Sequence, residues 1–150
     1  MERLKPQATT VFIRLIDKMK ACNFMKIVRE DYHDLILERL EVLIHTPSGT
    51  GKLYRLAHLL ATNSPHVADP EMTFLVIDSP KYGTLVIPLS YKAMDGEMET
   101  GIQIRHNRVT SCIKELQAGH ASFANVWLRN IYSQGFLSAS MDQISIKLVA

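Results

Sequence analysis

The chain is poor in cysteine and has no long apolar run. Cys22 and Cys112 are its only cysteines, and two isolated cysteines give neither a disulfide framework nor the paired spacing of a zinc site. We expect both thiols to be reduced and mostly buried, each on the apolar face of a helix. The N-terminus opens Met-Glu-Arg-Leu-Lys without a signal peptide, and no stretch of about twenty apolar residues follows. These absences predict a cytoplasmic protein with no membrane partner.

An excess of one charge is also lacking. The net charge is +2, which is too small to require a polyanionic partner. A local basic patch contains Arg105 and Arg108, with His106 and Lys114 close in sequence. Short charge clusters are usually solvated surface, so we prefer that interpretation. Nucleic-acid binding through Arg105 and Arg108 stays open as an alternative.

The overall amino-acid composition is typical of a globular domain. The 150 residues are 47% hydrophobic and 21% charged, which are ordinary values for a folded chain. A chain of this length buries a core without disulfides or metals. The sequence therefore predicts one domain that spans residues 1–150.

One segment imitates a phosphate-binding loop. Thr46–Leu53 reads Thr-Pro-Ser-Gly-Thr-Gly-Lys-Leu, but the motif needs Gly at the first of these positions and Ser or Thr at the last. The first difference crowds the backbone around phosphate, and the second removes a magnesium ligand. We therefore expect no nucleotide and no cofactor. The glycines suit either a β-hairpin tip or a strand-to-helix loop, and the pattern leaves both open.

The apolar pattern predicts a helix, a run of strands and a return to helix. Residues 7–22 carry a helical apolar stripe. Residues 24–105 show short apolar runs cut by Pro and Gly, with a turn at Asp95-Gly96, which is typical of an antiparallel meander. Residues 107–135 have helical spacing again, with Gly119 between two helices and Ser122 as the cap of the second. The predicted fold class is α+β: an N-terminal helix, an antiparallel meander sheet of about five to six strands, and C-terminal helices packed on the sheet.

Several short motifs together point to a known family. They are Phe24–Ile27, Leu35–Leu40, Leu56-Ala57-His58, the run Asp69-Pro70-Glu71-Met72-Thr73-Phe74, Pro88–Tyr91, Trp127–Asn130 and Gln134–Phe136. In these motifs the chain resembles a family of short, uncharacterised bacterial proteins that are found often on plasmids and phages. The Asp-Pro-Glu-Met-x-Phe run is the most specific of them. The resemblance implies a small α+β domain and supplies no catalytic residue. The chain departs from the family pattern at Asn63-Ser64-Pro65, where an Asn-Gly-type turn is expected.

Asp69 and Glu71 are the candidate catalytic pair. Two carboxylates two residues apart share a face of a regular strand, where they could hold a metal ion or serve as acid and base. We prefer a simpler interpretation, in which Asp69-Pro70 makes a turn and Glu71 faces solvent. The six histidines show no metal-ligand spacing, so His58 is expected to be half-buried and bonded to the backbone. Convergence of Asp69, Glu71 and His58 in one cleft would favour a small metal-dependent hydrolase.

The last predicted helix supplies the candidate binding surface. Trp127 belongs to its apolar stripe and is expected to fill the core beside Phe123, Val126 and Ile131. Arg129 and Tyr132 lie off that stripe and Phe136 follows it, and aromatic and Arg residues are enriched in binding hot spots. We therefore expect a non-enzymatic binding protein that uses Arg129, Tyr132 and Phe136. If the chain comes from a mobile genetic element, as the resemblance implies, its partner is a host protein or nucleoprotein, for example a defence system that it inhibits.

Overall fold

The computed structural model describes residues 1–60, 67–94 and 96–149. Within them the chain forms two α-helices, α1 (Pro6–Met19) and α2 (Lys114–Ser133), and nine β-strands. The strands are β1 Phe24–Ile27, β2 Asp34–Thr46, β3 Gly49–Leu59, β4 Ala68–Ser79, β5 Gly83–Lys92, β6 Glu99–Thr100, β7 Ile102–Arg105, β8 Arg108–Cys112 and β9 Ile144–Lys147. Short 3₁₀ helices at Phe136–Ser138 and Met141–Gln143 lie between α2 and β9. The predicted features at Asn63-Ser64-Pro65 and Asp95 lie outside the described residues.

The sheet confirms the α+β class but is larger than the sequence predicts. Its order is β6-β5-β4-β3-β2-β1-β9, with every neighbouring pair antiparallel. The stretch from β1 to β5 is the expected meander. β7 and β8 form a hairpin that joins the sheet through one parallel pairing, His45 with Arg108. The sheet exceeds the prediction because residues 99–112 form three short strands, where one strand and a helix start were expected. The last strand, β9, adds to it by pairing with β1.

A long hairpin of β2 and β3 resolves the segment that imitates a phosphate loop. Thr46 pairs with Gly49 across the two-residue turn 47–48. Gly49 has a φ of 133°, a backbone conformation that residues with a side chain rarely adopt. Gly51 lies against Leu75, whose Cδ1 atom would be 2.6 Å from an added Cβ. Gly49 therefore allows the turn, and Gly51 allows β3 to pack closely against β4. The segment is a hairpin tip, and the strand-to-helix alternative is wrong.

α1 forms where the apolar stripe predicts a helix. Pro6 is its first residue, a position where a missing N–H costs nothing. The helix ends at Met19, earlier than residue 22, because Lys20 turns the chain with a φ of 55°. Cys22 lies beyond this end and is half-buried, so its predicted place on a helix face is wrong.

α2 replaces the two predicted C-terminal helices with one. Gly119 lies inside it, exposed, with space where a side chain would be. A glycine inside a helix costs about 1 kcal/mol relative to alanine, and the burial of one face of α2 outweighs that cost. Ser122 is consequently a mid-helix residue and caps nothing. Neither helix of the described chain has both the length and the apolar character that crossing a bilayer requires.

The predicted helix start near residue 107 is instead strand β8, Arg108–Cys112, and the helix begins only at Lys114. The spacing of Val109 and Cys112 imitates a helical face, but β8 pairs with β7 around the turn residues His106 and Asn107. These have φ values of 51° and 61°, the pattern of a type I′ hairpin turn. Tertiary pairing therefore overrides the periodic pattern, and Cys112 ends a strand half-buried.

The two faces of the sheet are covered by different elements. Phe74 of β4 packs in the main core with Phe12 of α1 and Leu128 of α2. Leu75, the next residue of β4, packs in a second core with Ile102 of β7. Since side chains alternate along a strand, the helices cover one face and the β7–β8 hairpin covers part of the other.

Candidate functional site

A groove of about 560 Å³ runs between the two α-helices. We call it the interhelical groove. Ala8 and Val11 of α1 give it an apolar floor. Its polar lining comes from Lys5, Gln7, Thr10 and Arg14 on one side and from Asn125, Arg129, Tyr132 and Ser133 on the other.

Helical spacing places these side chains together. Thr10 and Arg14 are four residues apart on α1, and Asn125 and Arg129 are four apart on α2, so each pair projects from one face of its helix. The Asn125 side chain also accepts a hydrogen bond from the Lys5 backbone N–H at 3.0 Å. That bond connects the start of α1 to α2 and fixes the end of the groove at which Lys5 lies.

The groove is positively charged. Lys5, Arg14 and Arg129 line it, and no Asp or Glu does. The ion pairs found among the described residues include none of these three cations. Arg129 is exposed, and the Tyr132 ring beside it is 57% exposed. The site is suited to an anionic group that also offers an apolar surface to the tyrosine.

A second concave surface lies beyond the C-terminal end of α2. This cleft of about 430 Å³ is lined by Asp31, Tyr32, His33, His58, Asp69 and Gln134; we call it the α2-end cleft. His58 Nδ1 lies 3.2 Å from the backbone oxygen of His33. The His58 ring also contacts the rings of Trp127 and Phe136, with centroids 5.7 and 5.5 Å away. Burial in these surroundings lowers the pKa of His58.

Asp69 and Glu71 do not form the shared carboxylate site that regular strand alternation would give. Both belong to β4, so the expected turn at Asp69-Pro70 is wrong. Asp69 lines the α2-end cleft with His58. Glu71 instead forms an ion pair with Arg55 at 2.7 Å. The alternate residues of both strands, Leu56 and Met72, pack under the helices, so this ion pair lies on the opposite face.

The register of β3 with β4 explains the separation. The pairing shifts between Ala57 and Leu59, and an irregularity of this kind re-aims the side chains beside it. Asp69 and His58 therefore line the same cleft, and Glu71 does not. Among residues 1–60, 67–94 and 96–149, no three His, Cys, Asp or Glu side chains are placed to hold a metal ion.

The family of the chain follows from a match over most of its length. The sequence profile of a domain of unknown function, DUF6908, matches residues 7–137. The chain belongs to the DUF6908 family. Comparison with curated proteins gives no match, and comparison with solved structures gives none either.

The DUF6908 match agrees with the expectation of an uncharacterised family, and it covers more of the chain than the sequence motifs do. The sequence motifs covered residues 24–136, whereas the match begins at residue 7 and so includes all of α1 except Pro6. Both helices of the interhelical groove are therefore part of the family domain. Lys5 and β9 lie outside the matched residues.

The DUF6908 fold brings only part of the predicted binding set together. Arg129 and Tyr132 both line the interhelical groove. Phe136 is 0% exposed, because Gly135, with a φ of 81°, turns the chain inward after α2. Its predicted place on the surface is wrong. The predicted stripe also divides: Trp127 and Ile131 are buried, while Phe123 and Val126 are 39% and 49% exposed.

Arg105 and Arg108 occupy a separate surface. They are exposed and are paired across the tip of the β7–β8 hairpin. That hairpin covers the sheet face opposite the helices, so the two arginines are not part of the interhelical groove.

The residues that the sequence did not reveal come mainly from α1. Lys5 and Arg14 have ordinary surface patterns, and only the packing of α1 on α2 places them beside Arg129. Asp31 and His33 of the α2-end cleft lie in the connection between β1 and β2. A connection of this kind has no periodic signal, so nothing in the pattern marked them.

Proposed function

We propose that this DUF6908 protein acts by binding a partner protein and that the interhelical groove receives an acidic segment of that partner. The proposal depends on one observation: Lys5, Arg14 and Arg129 surround a groove that no carboxylate lines. Each cation is free of ion pairs with described residues. A carboxylate or phosphate group in the groove would form charge-assisted hydrogen bonds with two arginines.

The remaining lining supports a peptide rather than a bare ion. Ala8 and Val11 offer apolar contact, and Asn125 and Thr10 offer hydrogen-bonding groups. Tyr132 and Arg129 are residue types that dominate binding energy in interfaces.

The resemblance to plasmid- and phage-borne proteins extends the proposal to a biological setting. We propose a cytoplasmic protein of a mobile genetic element whose target is a host protein or nucleoprotein, such as a component of a defence system. An acidic surface on that target would meet the groove.

The experiment uses matched charge removals. The full chain is immobilised and exposed to host lysate, and captured proteins are identified by mass spectrometry. Arg14→Ala with Arg129→Ala removes two charges from the groove, whereas Arg105→Ala with Arg108→Ala removes two from the hairpin tip. We expect the groove variant to lose a captured protein that the hairpin variant retains, and a synthetic oligoglutamate peptide to compete for it. Equal capture by all three proteins would overturn the proposal.

Nucleic-acid binding is the second candidate, and the hairpin tip supports it. Arg105 and Arg108 flank a two-residue turn on an exposed hairpin, a shape that fits against a phosphate backbone. Capture of nucleic acid that only the hairpin variant loses, with steep salt dependence, would favour this candidate. A hydrolase using Asp69 and Glu71 has less support, because the two carboxylates face opposite sides of the sheet.

A further inference from the structure

The α2-end cleft has the opposite electrostatic character to the interhelical groove. Asp31 and Asp69 are its charged lining groups, and no Lys or Arg lines it. Neither carboxylate takes part in an ion pair with another described residue. Arg29 lies close by, against Gly135, where its guanidinium donates to the neutral amide of Gln143 at 3.2 Å; its positive charge offsets part, and not all, of the charge of the two carboxylates.

The end of α2 adds to the negative potential. The helix ends at Ser133 with Gln134 as its cap, and its last turn contains no basic residue. The final carbonyl groups of a helix carry about half a negative charge in sum. Gln134 lines the cleft, so this partial charge lies at its wall.

His58 contributes an acceptor to the cleft. A backbone carbonyl only accepts hydrogen bonds, so the contact with His33 places the ring proton on Nδ1. Nε2 is then unprotonated and available to accept. Because burial lowers the pKa of His58, the ring is neutral near pH 7 and adds no positive charge.

We infer that the α2-end cleft binds a guanidinium group. A guanidinium is planar and has five donors, which suit the carboxylates of Asp31 and Asp69 and the lone pair of His58. The Tyr32 ring is 46% exposed beside the cleft and offers a face on which a guanidinium stacks. A bare metal ion fits less well, because no three ligating side chains of the described chain converge. The volume of about 430 Å³ is in the range of sites for small ligands.

The guanidinium could belong to a free small molecule or to an arginine side chain of another protein. Both sources share the chemistry that the cleft recognises, and two probes distinguish them. Agmatine represents the free molecule, and the peptide Gly-Gly-Arg-Gly-Gly represents the side chain. Neither probe suits the positive interhelical groove, so failure here leaves the acidic-partner proposal intact.

The test is calorimetric titration of the full chain, with NMR of the His58 and Trp127 ring signals to locate the site. Agmatine or the arginine peptide should bind and shift both signals, and the neutral amide butyramide should not. Asp69→Asn and, separately, Asp31→Asn should weaken binding by roughly tenfold each through loss of a charge-assisted hydrogen bond. Asp31 already has a φ of 74°, a conformation that Asn tolerates, so that variant leaves the strands undisturbed.

Asp17→Asn on the exposed face of α1 removes the same charge elsewhere and should leave binding unchanged. Binding of agmatine identifies a free ligand, and binding of the peptide alone identifies an arginine side chain. If neither probe binds more tightly than butyramide, or if Asp17→Asn weakens binding as much as Asp69→Asn, the inference is overturned.

Discussion

Arg55 Nη2 lies 2.7 Å from Glu71 Oε1, on the sheet face opposite the two α-helices. Both side chains are mostly buried, at 21% and 17% exposure. We therefore assign the ion pair a structural role. It holds the Glu71 carboxylate on this face, away from the cleft that contains Asp69.

Loss of this ion pair should destabilise the protein more than loss of a surface pair. Glu71→Gln should lower the free energy of unfolding by about 1.5–3 kcal/mol, since Arg55 would lose a charged partner in a partly dry site. The control is Glu41→Gln: Glu41 pairs with Arg39 but is 64% exposed, and the expected loss is below about 1 kcal/mol. Urea unfolding of the three proteins measures both. Equal losses would show that the Arg55–Glu71 pair is no more important than an exposed one.

Substitutions on the buried face of α2 should lower stability, whereas substitutions on its exposed face should weaken binding. Trp127 is 5% exposed and contacts the rings of His58 and Phe123. Trp127→Ala should cost about 3–5 kcal/mol through the cavity that it leaves. Tyr132→Ala with Arg129→Ala should leave thermal melting nearly unchanged and weaken capture of the partner. A double variant that unfolds while its partner binding survives would reverse this assignment of the two faces.

Two glycine substitutions should have opposite signs. Gly51→Ala places a Cβ 2.6 Å from Leu75 Cδ1, and Leu75 is fully buried, so overpacking should cost about 1–3 kcal/mol. Gly119→Ala meets no atom within 4 Å and should stabilise α2 by roughly 0.5–1 kcal/mol. Thermal melting of both variants is the measurement. A stabilised Gly51→Ala would mean that the hairpin does not pack on Leu75 as described.

His58 should make stability depend on pH. Burial lowers its pKa in the folded protein, so the unfolded chain takes up a proton on this ring at higher pH than the folded chain does. The buried, neutral His58 ring contributes fully to stability above about pH 6.5, the ordinary pKa of histidine. This contribution is lost as the pH falls through the folded value.

The measurement is thermal melting between pH 8 and pH 5. His58→Phe keeps a ring against Trp127 and Phe136 and cannot titrate, so its stability should fall less over this range than that of the unmodified protein. Identical pH profiles for His58→Phe and the unmodified protein would contradict the prediction.

The turn at 47–48 should not bind nucleotide. The first glycine of a phosphate loop is Thr46 here, and the hairpin places Gly51 against Leu75 rather than around a phosphate. Calorimetric titration with ATP or GTP and magnesium should show no binding. A dissociation constant in the low micromolar range would require the hairpin to open.

The elements whose signals are local are predictable from the amino-acid pattern. The stripe of α1 gives its place because i, i+3 and i+4 residues share a face in any helix. The short apolar runs and their Pro and Gly breaks likewise predict the meander from β1 to β5. The exposure of Arg129 and Tyr132 is predictable for the same reason, since a position off an apolar stripe is a local property.

Where these elements contact one another depends on long-range packing. The spacing of Val109 and Cys112 imitates a helix, but pairing with β7 makes a strand there. The sequence predicts Phe136 to be an exposed binding residue, but the turn at Gly135 places it in the core. Lys5 and Arg14 join Arg129 only through packing of helices that are far apart in the chain. Such contacts depend on register and on which faces are covered, and no short window of sequence contains that information.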